Sequence, residues 1–166
     1  FFGDGATSSN DFHAALNFAG VWRAPVVFAC RNNGYAISLP ASKQTASDGF
    51  ACKAVAYGIR GEQVDGNDAL AVYRATRDAL EAAAAGEGPT LLELVTYRLD
   101  AHSSSDDPRF YRSDEEVAAA MAQEPIARMQ RALFETGELD ERADEALRNA
   151  VEAEITEALR VAEERP

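Results

Sequence analysis

The stretch FFGDG at residues 1–5, together with VVFACRNNGY at residues 26–35, decides how this chain folds. In each, an apolar run leads into small or polar residues, which is typical of a buried strand that ends in a turn. The second run is continuously apolar at first, as expected for a parallel strand covered on both faces. A helix predicted from Ser9 or Asn10 to about Val21 joins the two strands. This order predicts a βαβ unit.

Predicted helices and strands continue to alternate along the chain as far as residue 97. We predict a short helix over 50–57, a strand over 58–64, a helix over 68–85 and a strand over 90–97. The alternation predicts an α/β fold with a doubly wound, mainly parallel sheet. Leu70, Tyr73, Leu80 and Ala84 recur at helical spacing, so we expect the helix over 68–85 to bury them.

Two polar stretches and a helical C-terminal part complete the predicted organisation. Residues 32–48 and 100–112 are expected to be long loops, because Gly, Pro and small polar residues dominate them. Further helices are expected from 114, with a break near Pro125 and a long amphipathic helix over 140–163. We therefore predict a partial α/β domain over 1–112 and a helical extension over 113–166 that packs on that domain.

Composition excludes several classes of function. The chain has 16 Lys and Arg against 28 Asp and Glu, a net charge of −12, and no basic block, so we expect no nucleic-acid or membrane partner. Its two cysteines have no CxxC spacing, which argues against a disulfide scaffold or a zinc site. A cytoplasmic location is the default expectation. Phe1 and Phe2 resemble the end of a buried strand, so we expect the sequence to begin inside a longer chain.

Asp4 and Asn33 are the candidate metal ligands. A Gly-Asp-Gly triplet is more often an ordinary turn. However, the predicted βαβ unit returns Asn33 to the same edge of the sheet, where open α/β sheets bind ligands. A carboxylate and a neutral amide oxygen suit Mg²⁺, which also binds the phosphates of a cofactor. A nucleotide-binding protein is the competing interpretation, but neither GxGxxG nor GxxxxGK[ST] occurs where a strand meets a helix.

Longer motifs carry a resemblance to a known family. FFGDGATSSNDFHAALNFAG, CRNNGYAIS, VDGND and YRLDAHSSSDDPRFYRS are similar to the alpha subunits of thiamine diphosphate-dependent branched-chain 2-oxo acid dehydrogenases. The similarity extends from Phe1 into the C-terminal helices. Related alpha subunits act on pyruvate or acetoin, and these usually have Glu where this chain has Arg31. Branched-chain members often have Glu in place of Asp4, which weakens the substrate assignment slightly.

The resemblance implies a set of cofactor-binding residues. Asp4, Asn33 and the main-chain oxygen of Tyr35 would bind Mg²⁺. The backbone around Gly5 would approach the diphosphate closely, and Arg31 would donate to it as a charged group. The full set implied for thiamine diphosphate and Mg²⁺ is Gly3, Asp4, Gly5, Ala6, Arg31, Asn33, Tyr35, Ile37 and His102, with Ile37 beside the thiazolium.

The loop over 100–112 is the second functional region that the resemblance implies. His102 matches a catalytic histidine that contacts the diphosphate and helps to conduct protons. Ser103 matches a serine that kinases phosphorylate in animal members, where a phosphate would repel the diphosphate. Ala101 departs from the family pattern, which often has Gly or His there. The residues implied to order the loop and present it to a lipoyl domain are Arg98, Asp106, Tyr111 and Arg112.

The resemblance also implies a reaction and partners. We expect oxidative decarboxylation of a branched-chain 2-oxo acid, with acyl transfer to the lipoyl group of an acyltransferase component. A beta subunit would complete the site in an α₂β₂ heterotetramer, and a eukaryotic protein would lie in the mitochondrial matrix. Two alternatives remain: a pyruvate or acetoin dehydrogenase alpha subunit, and a non-catalytic fragment that needs its missing half and a beta partner.

Overall fold

The computed structural model describes residues 1–165 and divides into two compact units, Phe1–Pro125 and the helices from Ile126 onwards. In the described residues the first unit holds a parallel sheet in the order β1-β2-β6-β5. Its strands are β1 (Phe2–Gly3), β2 (Val27–Asn32), β5 (Arg60–Asp65) and β6 (Thr90–Val95). The carboxyl ends of all four strands therefore lie along one edge. The predicted α/β class is confirmed.

Helix α1 (Asn10–Trp22) covers one face of this sheet. Ser9 caps it, because the Ser9 side chain accepts a hydrogen bond from the Phe12 N–H at 3.4 Å. Leu16 is fully buried and packs in one cluster with Leu91 of β6. The 3-10 helix Ala51–Tyr57 contributes to the same cluster. The predicted strand-helix-strand unit is therefore present, with β1 and β2 paired in parallel.

Helix α3 (Ala69–Ala84) covers the opposite face with alanines. Its buried residues are Ala75, Ala79 and Ala83, which lie four residues apart. The predicted stripe was wrong, since Leu70, Tyr73 and Leu80 are all more than half exposed. The methyl groups of Ala75 and Ala79 pack against Leu92 and Leu94 of the sheet. The buried face of this helix is therefore made of small side chains, where larger ones were expected.

The stretch over 32–48 was predicted to be a long loop, but part of it forms regular secondary structure. It contains a hairpin of β3 (Tyr35–Ala36) and β4 (Leu39–Pro40), followed by helix α2 (Ala41–Gln44). Positive φ values at Gly34 (85°) and Ile37 (59°) allow these tight reversals. A hydrogen bond from the Ala41 N–H to the Gly34 carbonyl, at 2.8 Å, closes the hairpin.

The remaining helices are α4 (Asp114–Met121), α5 (Pro125–Thr136) and α6 (Glu141–Glu163). The sequence places the start of the helical extension at 113, whereas the compact units divide after Pro125 and leave α4 with the sheet. That the extension packs on the α/β domain stays a prediction. Asp140 caps α6, as its position before the amphipathic stretch suggests. Within residues 1–165, no helix has the length and apolar character required to cross a bilayer.

Candidate cofactor and metal site

A cavity of about 840 Å³ lies at the carboxyl edge of the sheet. Residues that follow each of the four parallel strands line it. Every residue that the resemblance implied for cofactor binding lines this cavity, namely Gly3, Asp4, Gly5, Ala6, Arg31, Asn33, Tyr35, Ile37 and His102. The sheet topology thus brings the predicted residues together, although their roles stay predictions.

Asp4 lies at the mouth of β1 and is 1% exposed. Its Oδ1 accepts a long hydrogen bond from the Asn33 N–H at 3.4 Å, and its Oδ2 accepts one from Gln44 Nε2 at 2.8 Å. Within the described chain, no Lys or Arg lies close enough to form an ion pair with it. A buried carboxylate held by two neutral donors is poorly compensated, which makes a cation a suitable third partner.

Asn33 lies in a turn that the neighbouring asparagine fixes. Asn32 Oδ1 accepts from the Gly34 N–H at 3.0 Å, and Asn33 Oδ1 accepts from the Tyr35 N–H at 3.1 Å. Such Asx turns hold both side chains against their own backbone. Tyr35 pairs with Pro40, which has no N–H to donate to the Tyr35 carbonyl. Asp4, Asn33 and Tyr35 all line the same cavity.

Gly5 lets the hairpin approach the turn after β1. A Cβ atom at this position would lie 3.0 Å from the Cβ of Ala36, closer than side-chain carbons normally pack. A glycine at this position is therefore what allows the hairpin to pack against the turn. Gly5 and the adjacent Ala6 both line the cavity.

Ile37 is held in the left-handed region of backbone space with its side chain 57% exposed. A β-branched residue is a true outlier there, and this conformation costs on the order of 1–3 kcal/mol. Arg98 Nη2 donates to the Ile37 carbonyl at 2.6 Å and thereby helps to hold the turn. Strain of this kind concentrates at ligand sites, which supports a contact between Ile37 and a cofactor.

Glu116 of α4 joins two tyrosines of the cavity wall. The hydroxyls of Tyr35 and Tyr97 both donate to Glu116 Oε1, at 2.8 and 2.9 Å. Burial, followed by the hydrogen bond to Glu116 and its negative charge, raises the pKa of Tyr35 to about 12. The same causes raise the pKa of Tyr97. Both phenols are therefore hydrogen-bond donors at neutral pH.

The loop that carries His102 contains hydrogen bonds among the residues that the resemblance implies for it. Asp106 Oδ2 accepts from the His102 N–H at 2.8 Å and from the Tyr111 hydroxyl at 2.5 Å. Arg98 Nη2 donates to the Tyr111 hydroxyl at 2.9 Å. The hydrogen bond from Tyr111, then that from the His102 backbone, lowers the pKa of Asp106. The His102 side chain is exposed on the cavity wall.

Arg112 is buried and donates to three carbonyls of the same loop, those of Arg98, Leu99 and Asp100. Ser103 is exposed, and its hydroxyl lies 3.2 Å from that of Ser105. The structure therefore brings together the predicted loop residues and leaves Ser103 accessible. Their roles in lipoyl docking and phosphorylation stay predictions.

Sequence reasoning missed several residues of this region. Gln44, which holds Asp4, lies in a stretch predicted to be irregular, and nothing in the local pattern marks it. Glu116 does have a signal, since Ser113 and Glu116 form the S-x-x-E pattern of a capping box. The cavity-lining residues that the sequence did not single out are Ala36, Gly66, Asn67, Thr96, Tyr97 and Pro125.

A second buried carboxylate, Glu93 of β6, lies inside the sheet and is 0% exposed. Its Oε2 accepts from the N–H groups of Phe50 and Ala51, each at 2.8 Å, and from Gln63 Nε2 at 3.2 Å. Its Oε1 accepts from Asn32 Nδ2 at 2.7 Å. Glu93 thus joins the core of the sheet to the turn that carries Asn33.

Comparison with known proteins identifies a family for this sequence. The sequence matches the family described as "Dehydrogenase E1 component" over residues 1–166. It is 49% identical over 98% of its length to 2-oxoisovalerate dehydrogenase subunit alpha 2, mitochondrial, of Arabidopsis thaliana, and it covers 35% of that protein. It is 44% identical over 99% of its length to 2-oxoisovalerate dehydrogenase subunit alpha of Bacillus subtilis, of which it covers 50%.

A relative with another named substrate has a similar identity. Pyruvate dehydrogenase E1 component subunit alpha of Staphylococcus aureus is 45% identical over 97% of this chain, which covers 44% of that protein. The chain thus spans half or less of the length of these relatives. The match to the family nevertheless includes every described element, from β1 to α6. The chain therefore belongs to the dehydrogenase E1 component family.

Proposed function

We propose that this chain supplies the Mg²⁺ and diphosphate half of a thiamine diphosphate site in a 2-oxo acid dehydrogenase. The observation that carries the proposal is Asp4, a buried carboxylate that accepts a hydrogen bond from the Asn33 N–H and has no cationic partner in the described residues. Family membership supports it independently.

The residues present fit Mg²⁺. This ion prefers one or two carboxylates, neutral oxygens and the phosphates of a ligand. Asp4, the Asn33 side-chain oxygen and the Tyr35 carbonyl provide that combination within one cavity. Binding of a divalent cation would also compensate the buried charge of Asp4, which two neutral hydrogen bonds do only in part.

The residues present also fit a diphosphate. The backbone N–H groups of Gly5 and Ala6 would donate to the diphosphate, and Arg31 lines the same cavity. Arg31 forms no ion pair with any described residue, so its charge is available to an anion. An arginine beside exposed N–H groups is a suitable environment for phosphate oxygens.

Thiamine diphosphate, when bound, would supply a nucleophilic carbon and an electron sink for decarboxylation. The protein groups orient the cofactor and handle protons. Ile37 presents an exposed apolar side chain to the cavity, where it would pack beside the thiazolium. A ring nitrogen of His102 would contact the diphosphate and accept or release a proton during acyl transfer to a lipoyl group.

A branched-chain 2-oxo acid is the substrate that we propose, because the relatives named for 2-oxoisovalerate have up to 49% identity to this chain. Pyruvate is the second candidate, since a pyruvate dehydrogenase subunit reaches 45%. The test is steady-state turnover of the full-length chain with its beta subunit on 2-oxoisovalerate and on pyruvate. A higher kcat/KM for 2-oxoisovalerate is expected, and a preference for pyruvate would select the second candidate.

We propose that a beta subunit completes the site in an α₂β₂ heterotetramer and that a lipoyl domain receives the acyl group. The beta subunit would supply the aminopyrimidine half, including the Glu that activates the cofactor. Titration of the isolated chain and of the co-expressed pair with thiamine diphosphate and Mg²⁺ tests this division. Saturable binding by the pair alone is expected. Equal binding by the isolated chain would contradict the requirement for a partner.

Replacement of Asp4 by alanine tests the metal assignment. In the assembled pair, Asp4→Ala should abolish Mg²⁺-dependent cofactor binding, because the charged ligand is lost. Asp11→Ala is a matched control, since Asp11 is an exposed acid in the first turn of α1. Unchanged cofactor affinity in Asp4→Ala would contradict the proposed site.

Ser103 is proposed as a phosphorylation site because its exposed hydroxyl follows His102. A phosphate here would add negative charge beside the diphosphate and would weaken cofactor binding. Ser103→Glu should lower the affinity of the assembled pair for thiamine diphosphate, whereas Ser105→Glu should have a smaller effect. Equal effects of the two substitutions would argue against a special role of Ser103.

A further inference from the structure

Glu116 connects the hairpin that carries Tyr35 to a helix outside the cavity. Its Oε1 accepts from the hydroxyls of Tyr35 and Tyr97 at 2.8 and 2.9 Å. The Tyr35 and Tyr97 rings pack edge to face with centroids 6.4 Å apart. Glu116 therefore holds the hairpin (residues 35–40) against the segment that follows β6.

Glu116 lies in the first turn of α4, where a glutamate usually helps to cap its own helix, and its contacts with the tyrosines are not part of such a cap. Ser113 caps the helix, and its side chain accepts from the Glu116 N–H at 3.2 Å. A glutamate at this position normally completes a capping box by accepting from the backbone N–H of the cap residue. In the described residues no hydrogen bond from the Ser113 N–H to Glu116 is formed. The Glu116 carboxylate instead contacts the two phenols of the cavity wall.

Few other contacts hold the hairpin from this side. Arg98 donates to the Ile37 carbonyl at 2.6 Å, and its guanidinium lies 6.0 Å from the centre of the Tyr35 ring. The Tyr111 ring lies 5.5 Å from that of Tyr35 at a tilt. Among these contacts, Glu116 alone accepts a hydrogen bond from the Tyr35 side chain, so it fixes the rotation of that residue most directly.

We infer that Glu116 is a positioning residue for the metal site: by holding the Tyr35 side chain, it fixes the main-chain oxygen of Tyr35 and the strained turn at Ile37. This inference rests on the proposed function for the identity of the ligand. The position of the hairpin itself does not depend on that identity. Outer residues that orient metal ligands commonly change metal affinity when they are replaced.

The test uses the full-length chain with its beta subunit and three variants. Glu116→Ala removes the acceptor, and Glu116→Gln retains an oxygen that can accept from both phenols. Glu115→Ala is the matched control, because it removes an exposed acid from the same turn of α4 without touching Tyr35. Tyr35→Phe removes the same hydrogen bond from the other side and serves if Glu116→Ala does not fold.

Hydrogen–deuterium exchange of the cofactor-free pair measures the hairpin directly. Glu116→Ala and Tyr35→Phe should increase deuterium uptake over residues 35–40, while Glu116→Gln and Glu115→Ala should stay close to the wild type. In the presence of thiamine diphosphate, the Mg²⁺ affinity of Glu116→Ala should fall by about 10-fold or more. The glutamine variant should restore most of that affinity.

The outcomes separate this inference from the proposed function. If Glu116→Ala and Glu115→Ala give the same uptake over 35–40 and the same Mg²⁺ affinity, Glu116 is not a positioning residue. If the wild-type pair binds no Mg²⁺ but uptake rises selectively in Glu116→Ala, the proposed function fails while the hold on the hairpin stands. A uniform rise in uptake over the whole first unit would indicate general destabilisation and would overturn the inference.

Discussion

Asp4 and Glu93 are two buried carboxylates in different regions of the same sheet, and their surroundings differ. Glu93 lies in the interior and accepts four hydrogen bonds from protein donors. Asp4 lies at the carboxyl edge and accepts two, of which one is 3.4 Å long. A fully satisfied buried acid stabilises the fold, whereas a partly satisfied one beside a cavity has capacity for a ligand. Burial alone would not distinguish them.

The largest expected effect comes from the interior acid. Glu93→Gln places an NH₂ group where an oxygen accepts hydrogen bonds, so at least one buried donor loses its partner. We expect the free energy of unfolding to fall by about 3 kcal/mol or more. Urea unfolding of the assembled pair measures this loss.

Glu62→Gln provides the control for Glu93. Glu62 lies on β5 and pairs with Arg60 at the surface, where an ion pair contributes roughly 1 kcal/mol or less. Equal stability of Glu93→Gln and Glu62→Gln would show that the hydrogen bonds of Glu93 do not stabilise the fold.

The edge acid should behave in the opposite way. Asp4→Asn removes a poorly compensated charge, and Gln44 can turn its unpartnered Oε1 towards the new amide. We therefore expect the melting temperature without Mg²⁺ to be unchanged or slightly higher. Saturating Mg²⁺ and thiamine diphosphate should stabilise the wild-type pair and not this variant. A large loss of stability in the absence of metal would make Asp4 a structural residue like Glu93.

The thiol of Cys30 is affected by the negative charges of both carboxylates. Burial, followed by the charges of Glu93 and Asp4, raises the pKa of the Cys30 thiol to about 12. Cys52 is exposed. At pH 8 we expect iodoacetamide to label Cys52 at least about tenfold faster than Cys30, because the thiolate is the nucleophile. Peptide mass spectrometry with Cys52→Ser as control measures the two rates.

The raised pKa of Cys30 also fixes the sign of a pH dependence. Above pH 9 the unfolded chain loses the thiol proton while the folded chain retains it, since its pKa is about 12. The contribution of Cys30 to stability therefore decreases as pH rises from 9 towards 12. Cys30→Ala should reduce this alkaline loss. An unchanged slope of stability against pH would show that folding does not raise the pKa of the Cys30 thiol.

A modest effect on stability is expected at Ile37, where the turn of the hairpin holds backbone strain. Ile37→Gly permits the positive φ without a side chain, so the melting temperature should rise by an amount equivalent to about 1 kcal/mol. Affinity for thiamine diphosphate should fall at the same time, because an apolar contact is lost. Leu39→Gly, at an exposed position of the same hairpin, should lower stability. A fall in stability for Ile37→Gly would show that the turn is not strained.

Sequence alone could predict the main elements and the meeting of Asp4 with Asn33. Two apolar runs separated by a helical stretch require parallel strands, and parallel strands place their carboxyl ends on one edge. His102, by contrast, was assigned to the site through the family resemblance and not through this topology. The amphipathic pattern after Asp140 was long enough to predict α6 correctly.

Other features depend on contacts between distant segments and had no local pattern. The buried face of α3 is made of alanines, and the large apolar residues that should have marked it are exposed. Gln44 and Glu93 have polar side chains whose burial follows from partners that lie 40 or more residues away in sequence. The positive φ of Ile37 is also invisible to propensity, because a β-branched residue disfavours it.

Arg112 has a further consequence for the chain that follows β6. Its guanidinium donates to the carbonyls of Arg98, Leu99 and Asp100. In β6, carbonyls accept instead from the backbone N–H groups of the neighbouring strands. A strand is lost one residue at a time from its end, whereas a single guanidinium releases its three acceptors together. This segment should therefore open in one cooperative step rather than by gradual fraying.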